Sequence, residues 1–286
     1  SLGHEAKVFG ELTKENLPYN VPYTLCWERF NRESYVNLVK QLDEFNPDVV
    51  HLQYEWNLHM CDGLLFELAK PRPHFVTWHN VTFDEKEQWF GRLSDYHVAH
   101  NQPTLGALRR MNLAARVIPH GTRQNKITPT DEAKKSLGID PSRKVVTLFG
   151  FVGPRKGTHL LLQSIPRMKE YCPEAYLVIL GGRHPKGAGI NTYVKLIERA
   201  AELYPEDIKI TGYMGDEDKT DLWLSATDML VFPHVEPPNQ QILSASGSVR
   251  RVIDHGKLIA TMDIGFYSDF IEDVILKIPK DLNVAS

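Results

Sequence analysis

The chain is poor in cysteine, with Cys26, Cys61 and Cys172 as its three thiols. Odd in number and widely spaced, they fit neither a disulfide framework nor a CxxC metal site, and a reducing, cytoplasmic compartment is expected. A surplus of positive charge is also absent, the formal net charge being −3 over 286 residues. Nucleic-acid binding is therefore not expected, because it draws on cations that displace condensed counterions, and any anion site must be local. No run approaches the ~20 apolar residues of a membrane-spanning helix, and the opening SLGHEAKVFG does not read as a signal peptide. Peripheral membrane contact through a basic or aromatic surface stays open. Neither an internal repeat nor a low-complexity tract is apparent.

What is present is an alternation of short apolar runs with helical patterns along nearly the whole length, the signature of parallel sheets covered by helices. Strands are expected near residues 7–10, 23–26, 49–53, 75–79, 96–100 and 116–119. A second set follows near 145–152, 176–181, 208–212, 229–233 and 258–261. The charged segment 123–143, with Pro129 and Pro141, separates the sets and reads as a linker with a short helix at 131–137. The fold class expected is α/β, with Rossmann-like doubly wound domains at 1–122 and 144–286 facing across a cleft where the strands' carboxyl ends meet. Since SLGHE reads as the end of a helix, the first domain is expected to lack its opening strand, loop and helix.

Chemistry concentrates in VVTLFGFVGPRKGTHLLLQSIPRM, residues 145–168. A buried-strand pattern runs into a glycine-bearing, doubly basic loop and then into helical spacing at Leu161, Ile165, Met168 and Cys172. Gly153 and Gly157 let backbone amides approach an anion, Arg155 and Lys156 supply charge, and Thr158 is placed to cap the helix. The segment reads either as a phosphate or diphosphate seat or as a strand-to-helix turn with solvated cations. Pro166 should kink or shorten the helix.

Four later segments also put glycine or polar residues at strand ends. LVILGGRHP presents Gly181, Gly182, Arg183 and His184; ITGYMGDEDK presents Gly212 and Tyr213. LVFPHVEPPNQQILSASGS runs from Pro233 through Glu236 to Ser244, Ser246 and Gly247, and HGKLIAT enters a further strand. The first half carries VVHLQYEW, FVTWHNV and VIPHG. In this order the segments resemble the nucleotide-sugar glycosyltransferases of the GT-B fold, in the large retaining family 4.

The resemblance implies a second domain that binds a nucleoside diphosphate sugar as co-substrate, with UDP or GDP as the favoured nucleotides, and no further cofactor. The acceptor implied is a carbohydrate or a lipid-linked hydroxyl compound. Lys156 matches the family's phosphate lysine and His79 the histidine beside the reacting sugar, with a strand-capping histidine as the plain alternative. Ser246 and Gly247 would anchor the diphosphate by backbone, Gly181, Gly182 and His184 would lie beneath the nucleotide, and Tyr213 near the base. His120 is placed at the hinge, and Glu55 on the acceptor side. Transfer with retention and without metal is implied, the departing phosphate taking the acceptor's proton on the same face. A nucleotide-sugar epimerase and a non-catalytic binding protein are the competing readings.

Two departures stand out. Many family members carry two glutamates eight residues apart, but eight positions after Glu236 stands Ser244, and counting back from Gly256 and Lys257 gives Leu243 and Arg251. Glu236 and Asp269 are the nearby carboxylates. Asp216 and Asp218 form a DxD triplet; they open a helical pattern at Lys219, where acids favour the helix amino end, so capping is preferred over metal binding. No metal site is proposed.

Overall fold

The computed structural model describes residues 3–11, 22–28, 31–55, 63–122, 124–183, 191–236, 243–270 and 273–279. The chain divides into two compact units, residues 1–118 with 242–244 and residues 119–241 with 245–286.

In the first unit a parallel sheet has the order β3 (Val50–Tyr54), β4 (His74–Trp78), β6 (Tyr96–Ala99) and β7 (Ala115–Val117). A separate parallel pair is formed by β1 (Val8–Glu11) and β2 (Tyr23–Trp27), with α1 (Tyr35–Phe45) packed on β2. The core centres on Tyr54, Phe66, Trp78 and Phe90, whose rings lie 4.6–6.3 Å apart. Phe66 comes from α2 (Leu64–Ala69) and Phe90 from α3 (Glu85–Gly91), which therefore cover the sheet with aromatic area worth several kcal/mol on burial. Helix starts follow local chemistry: Asp84 accepts from Lys86 N ahead of α3, and Asn101 accepts from Thr104 N ahead of α4 (Gln102–Arg110).

The second unit contains six parallel strands in the order β10 (Ile208–Ile210), β9 (Ala175–Leu180), β8 (Lys144–Phe149), β11 (Met229–Phe232), β13 (Leu258–Met262) and β14 (Leu276–Ile278). Along β9, Leu177 and Ile179 enter one hydrophobic cluster while Val178 and Leu180 enter the other, so this strand is buried on both faces. The chain winds outward from β8 to β9 and β10, then returns to β8's other side as β11. That reversal is the switch point where open α/β sheets hold ligands at their carboxyl edge.

Several expectations change. Residues 124–143 are part of the second unit rather than a free linker, and the boundary falls after Ile118. Lys126 N donates to Asp221 Oδ2 at 2.8 Å, and Thr128 N to Ser225 Oγ at 3.1 Å. Buried Lys134, on α5 (Thr130–Ser136), reaches Asp228 Oδ2 at 2.7 Å. Strand β8 ends at Phe149 instead of running to Val152, because Gly150 turns the backbone to φ +126°. Pro166 does not shorten its helix: α6 runs unbroken from Thr158 to Tyr171. Three strands escaped the pattern reading, namely β14 and the antiparallel pair β5 (Asn80–Val81) with β12 (Leu243–Ser244).

Candidate active site

The basic loop of the second unit leaves β8 at the switch point. After Gly150 the backbone passes Gly153, makes a single turn over Pro154–Lys156 and enters α6 through Gly157 at φ +67°. Thr158 does not cap this helix; Gly157 occupies the cap position and its missing side chain is what the fold requires. A Cβ there would stand 1.9 Å from the Pro233 carbonyl oxygen. Val235 N donates to Arg155 O at 2.9 Å, so the exit from β11 is stitched to the basic loop by backbone alone.

Lys156 sits partly buried, and its Nζ donates to Ser248 Oγ at 3.2 Å. Burial and the neighbouring Arg155 guanidinium bring its ammonium down to about 8. Among the described residues no carboxylate lies close enough to offset that charge. A half-dry cation without a counter-ion at a sheet's carboxyl edge has the charge and position to attract an anion. The surrounding glycines permit the close approach: Gly150 leaves room for Lys156 Nζ and Ser248 Oγ, and a Cβ on Gly181 would meet Gly150 O at 2.0 Å. One on Gly182 would stand 2.5 Å from Tyr213 N. Exposed Tyr213 stacks on Phe151 with centroids 5.6 Å apart, giving a flat aromatic surface beside these glycines.

Ser246 and Gly247 open α9 (Gly247–Val252), where Ser246 Oγ accepts from Val249 N at 3.2 Å. His120 lies near, its Nε2 3.9 Å from where a Gly247 Cβ would be. Ser244, two residues before Ser246, belongs to the first unit and is paired through β12 with Asn80. Glu236 is exposed, and its carboxylate charge acts on Arg155. His184 lies outside the described residues. Asp269 is paired with Arg250, and Arg251 is held by Asp221 and by Glu217 at 2.8 Å, so these groups are engaged inside the unit. Asp216 caps α8 (Glu217–Ser225) by accepting from Lys219 N at 3.1 Å.

Sequence reading missed Ser248, His234 and Tyr267. His234 follows Pro233 at the end of β11 and is buried, with Tyr267 OH hydrogen-bonded to its Nδ1. Burial lifts the Tyr267 phenol above its ordinary range, against a smaller opposing effect of Ser246. Burial, then Lys156, then Arg155 push the His234 imidazole down to about 3, so it stays neutral. A histidine directly after a strand-end proline was the available signal.

In the first unit, His79 follows β4 and its Nε2 lies 2.7 Å from Gln53 Oε1, which fixes Nε2 as the protonated nitrogen. Its ring is 5.1 Å from that of His100. Gln53 also contacts His51 Nε2 at 3.0 Å. Glu55 accepts from Asn80 Nδ2 at 2.6 Å. His97, in contrast, is a core group: it accepts from Trp78 Nε1 at 3.0 Å and burial takes it down to about 4.

Comparison with known proteins bears on the family and the fold. The family model Glycosyltransferase Family 4 matches residues 1–125, and Glycosyl transferases group 1 matches residues 129–237. Mannosylfructose-phosphate synthase of Agrobacterium fabrum is 28% identical over 54% of this chain and 36% of its own length. The lipopolysaccharide core biosynthesis mannosyltransferase LpsB of Rhizobium meliloti is 31% identical over 41% of this chain and 33% of its own. The chain thus spans about a third of these relatives' length. Among solved structures, sucrose-phosphate synthase from Thermosynechococcus elongatus superposes with TM-score 0.74 at 16% identity, over 99% of this chain and 78% of that one. Anabaena Alr3699/HepE in complex with UDP-glucose gives TM-score 0.67 at 16% identity, over 91% and 73% of the two chains. No helix among the described residues is long and apolar enough to cross a membrane. With two glycosyltransferase family models matched in series over most of its length, the chain belongs to the glycosyltransferases of the GT-B fold.

Proposed function

We propose that this protein transfers a sugar from a nucleoside diphosphate sugar to a hydroxyl acceptor, with retention and without a metal ion. The observation that carries the reading is Lys156: a partly dehydrated ammonium, without a carboxylate partner among the described residues, at the switch point of a parallel sheet. A diphosphate supplies the counter-charge that the fold leaves out. As the glycosidic C–O bond breaks, its electron pair passes to the β-phosphate oxygen, and a cation already in place stabilises that charge without reorganisation. Arg155 adds a second positive group, and a Cβ on Gly153 would meet nothing within 4 Å, so the loop backbone is open there.

The acceptor oxygen then bonds to the anomeric carbon on the face the phosphate leaves, and its proton passes to that phosphate. His79, its tautomer set by Gln53, is assigned beside the reacting sugar. Tyr213 stacked on Phe151 is assigned to the base, with UDP or GDP as the nucleotide. The UDP-glucose bound to the Anabaena neighbour and the mannosyl transfer named for LpsB support a hexose donor. The acceptor is a carbohydrate or a lipid-linked hydroxyl compound.

The test is Lys156→Ala, assayed for transfer from UDP- and GDP-hexoses to a panel of sugar and lipid-linked acceptors. Removing one charge-stabilising donor should lower turnover by about 10²–10³, with the melting profile still cooperative. Unchanged turnover would remove the central claim.

A further inference from the structure

The pair His234–Tyr267 is unusual for a core contact. One edge of the imidazole is taken, since Nδ1 is hydrogen-bonded to the Tyr267 hydroxyl. This bond has a direction. Between a phenol and a neutral imidazole nitrogen the phenol is the better donor and the nitrogen the better acceptor. Tyr267 O–H therefore points at Nδ1, and the single proton of the neutral ring is placed on Nε2.

Nε2 has no hydrogen-bond partner among the described residues, and it is not one of the buried nitrogens left unsatisfied, so it reaches the accessible side of the ring. The residues on either side of His234 pack on the basic loop. Pro233 O packs against Gly157, Val235 N bonds to Arg155 O, and the charges of Lys156 and Arg155 both act on the ring.

We infer that His234 is a ligand-binding residue of the Lys156 seat, a neutral donor whose Nε2–H is aimed at a diphosphate oxygen and whose tautomer is set by Tyr267. The inference rests on the donor-site reading above. A neutral donor suits this position: a third cation beside Lys156 and Arg155 would add repulsion in the empty site, whereas an N–H dipole gives direction without charge. Lys156, Arg155 and Tyr267 are the titratable groups acting on the ring, and Glu236 acts on Arg155 from the same strand exit. With both cations close and the ring largely buried, His234 stays uncharged throughout the working range.

The test is calorimetric binding of UDP, GDP and inorganic pyrophosphate to the wild type and to His234→Phe, His234→Gln and Tyr267→Phe, with each variant's melting profile recorded. Loss of one hydrogen bond to a charged oxygen should weaken the best-binding probe about tenfold in His234→Phe. His234→Gln, which can present an N–H where Nε2 stood, should recover much of that loss. Tyr267→Phe should bind with intermediate affinity and shift the two-bond ¹⁵N–¹H pattern of one histidine away from the Nε2–H tautomer. Between about pH 6 and 7.5 the wild-type affinity should change with pH in parallel with that of His234→Gln.

If the wild type binds a probe and folded His234→Phe binds it equally well, the inference falls while the donor-site reading stands. An affinity that climbs steeply below pH 6 in the wild type but not in His234→Gln would also overturn it, since the ring would then act as a cation. If the wild type binds none of the three probes, the donor-site reading falls and takes the inference with it.

Discussion

Lys156→Met removes a charge while keeping most of the side chain's volume, and it separates what the fold needs from what a ligand needs. Burial and Arg155 lower the ammonium from 10.5 to about 8. At about 1.4 kcal/mol per pKa unit this corresponds to roughly 3 kcal/mol by which the unfolded chain holds the proton more favourably. Water reaching a partly buried group reduces the figure, so about 1–3 kcal/mol is expected. The sign follows from linkage: the folded value lies below the unfolded one, so the cost is present in full below about pH 8 and disappears as pH rises through 10.5. At pH 7 the variant should therefore melt higher than the wild type, by ~2–8 °C if the second unit unfolds as one cooperative block. The gain should shrink steadily above pH 8.

The same substitution should abolish stabilisation by ligand. A diphosphate at a hundred times its dissociation constant adds about 2.7 kcal/mol to a protein that binds it only when folded. A thermal-shift experiment with UDP and GDP at pH 7 thus has two readouts, a higher starting melting temperature in Lys156→Met and a ligand shift confined to the wild type. A variant that melts at or below the wild type and is still shifted by nucleotide would refute the reasoning.

Other expectations follow from the same geometry. Gly157→Ala should destabilise the second unit by more than about 2 kcal/mol, measured by urea unfolding, because the new Cβ meets the Pro233 carbonyl and the backbone lies at φ +67°. An alanine variant as stable as the wild type would contradict the close approach of the two loops. His97 is buried neutral and held at about 4, below its unfolded value of 6.5, so the unfolded chain takes up its proton first. Stability should fall as pH drops from 6.5 towards 4, by up to about 3 kcal/mol from this group. A His97→Leu variant with the same acid slope would show that the loss arises elsewhere.

The strand pattern was readable because parallel strands buried on both faces must be almost wholly apolar, as Leu177, Val178, Ile179 and Leu180 are. The helix start at Asp216 was local too, since its side chain answers the Lys219 amide three residues away. The lysine loop was legible for a similar reason: strand, glycines, cations and helix are contiguous. Less visible were short pairs such as β5 with β12, whose partners lie 160 or more residues apart in sequence and carry no periodicity of their own. Ser244 pairs with Asn80 through that short ladder, which nothing in its local sequence announces.

By itself, then, the sequence determined the alternation of strands and helices, the family resemblance and the basic loop that carries Lys156, because each is written within a few residues. Only the tertiary structure decided that residues 124–143 belong to the second unit, that Arg251 is spent on Asp221, and that His234 meets Tyr267 beside the seat. Those contacts join positions 30 or more residues apart. Which groups meet at such separations is set by sheet order and burial, and burial also decides whether a histidine is a cation or a neutral donor.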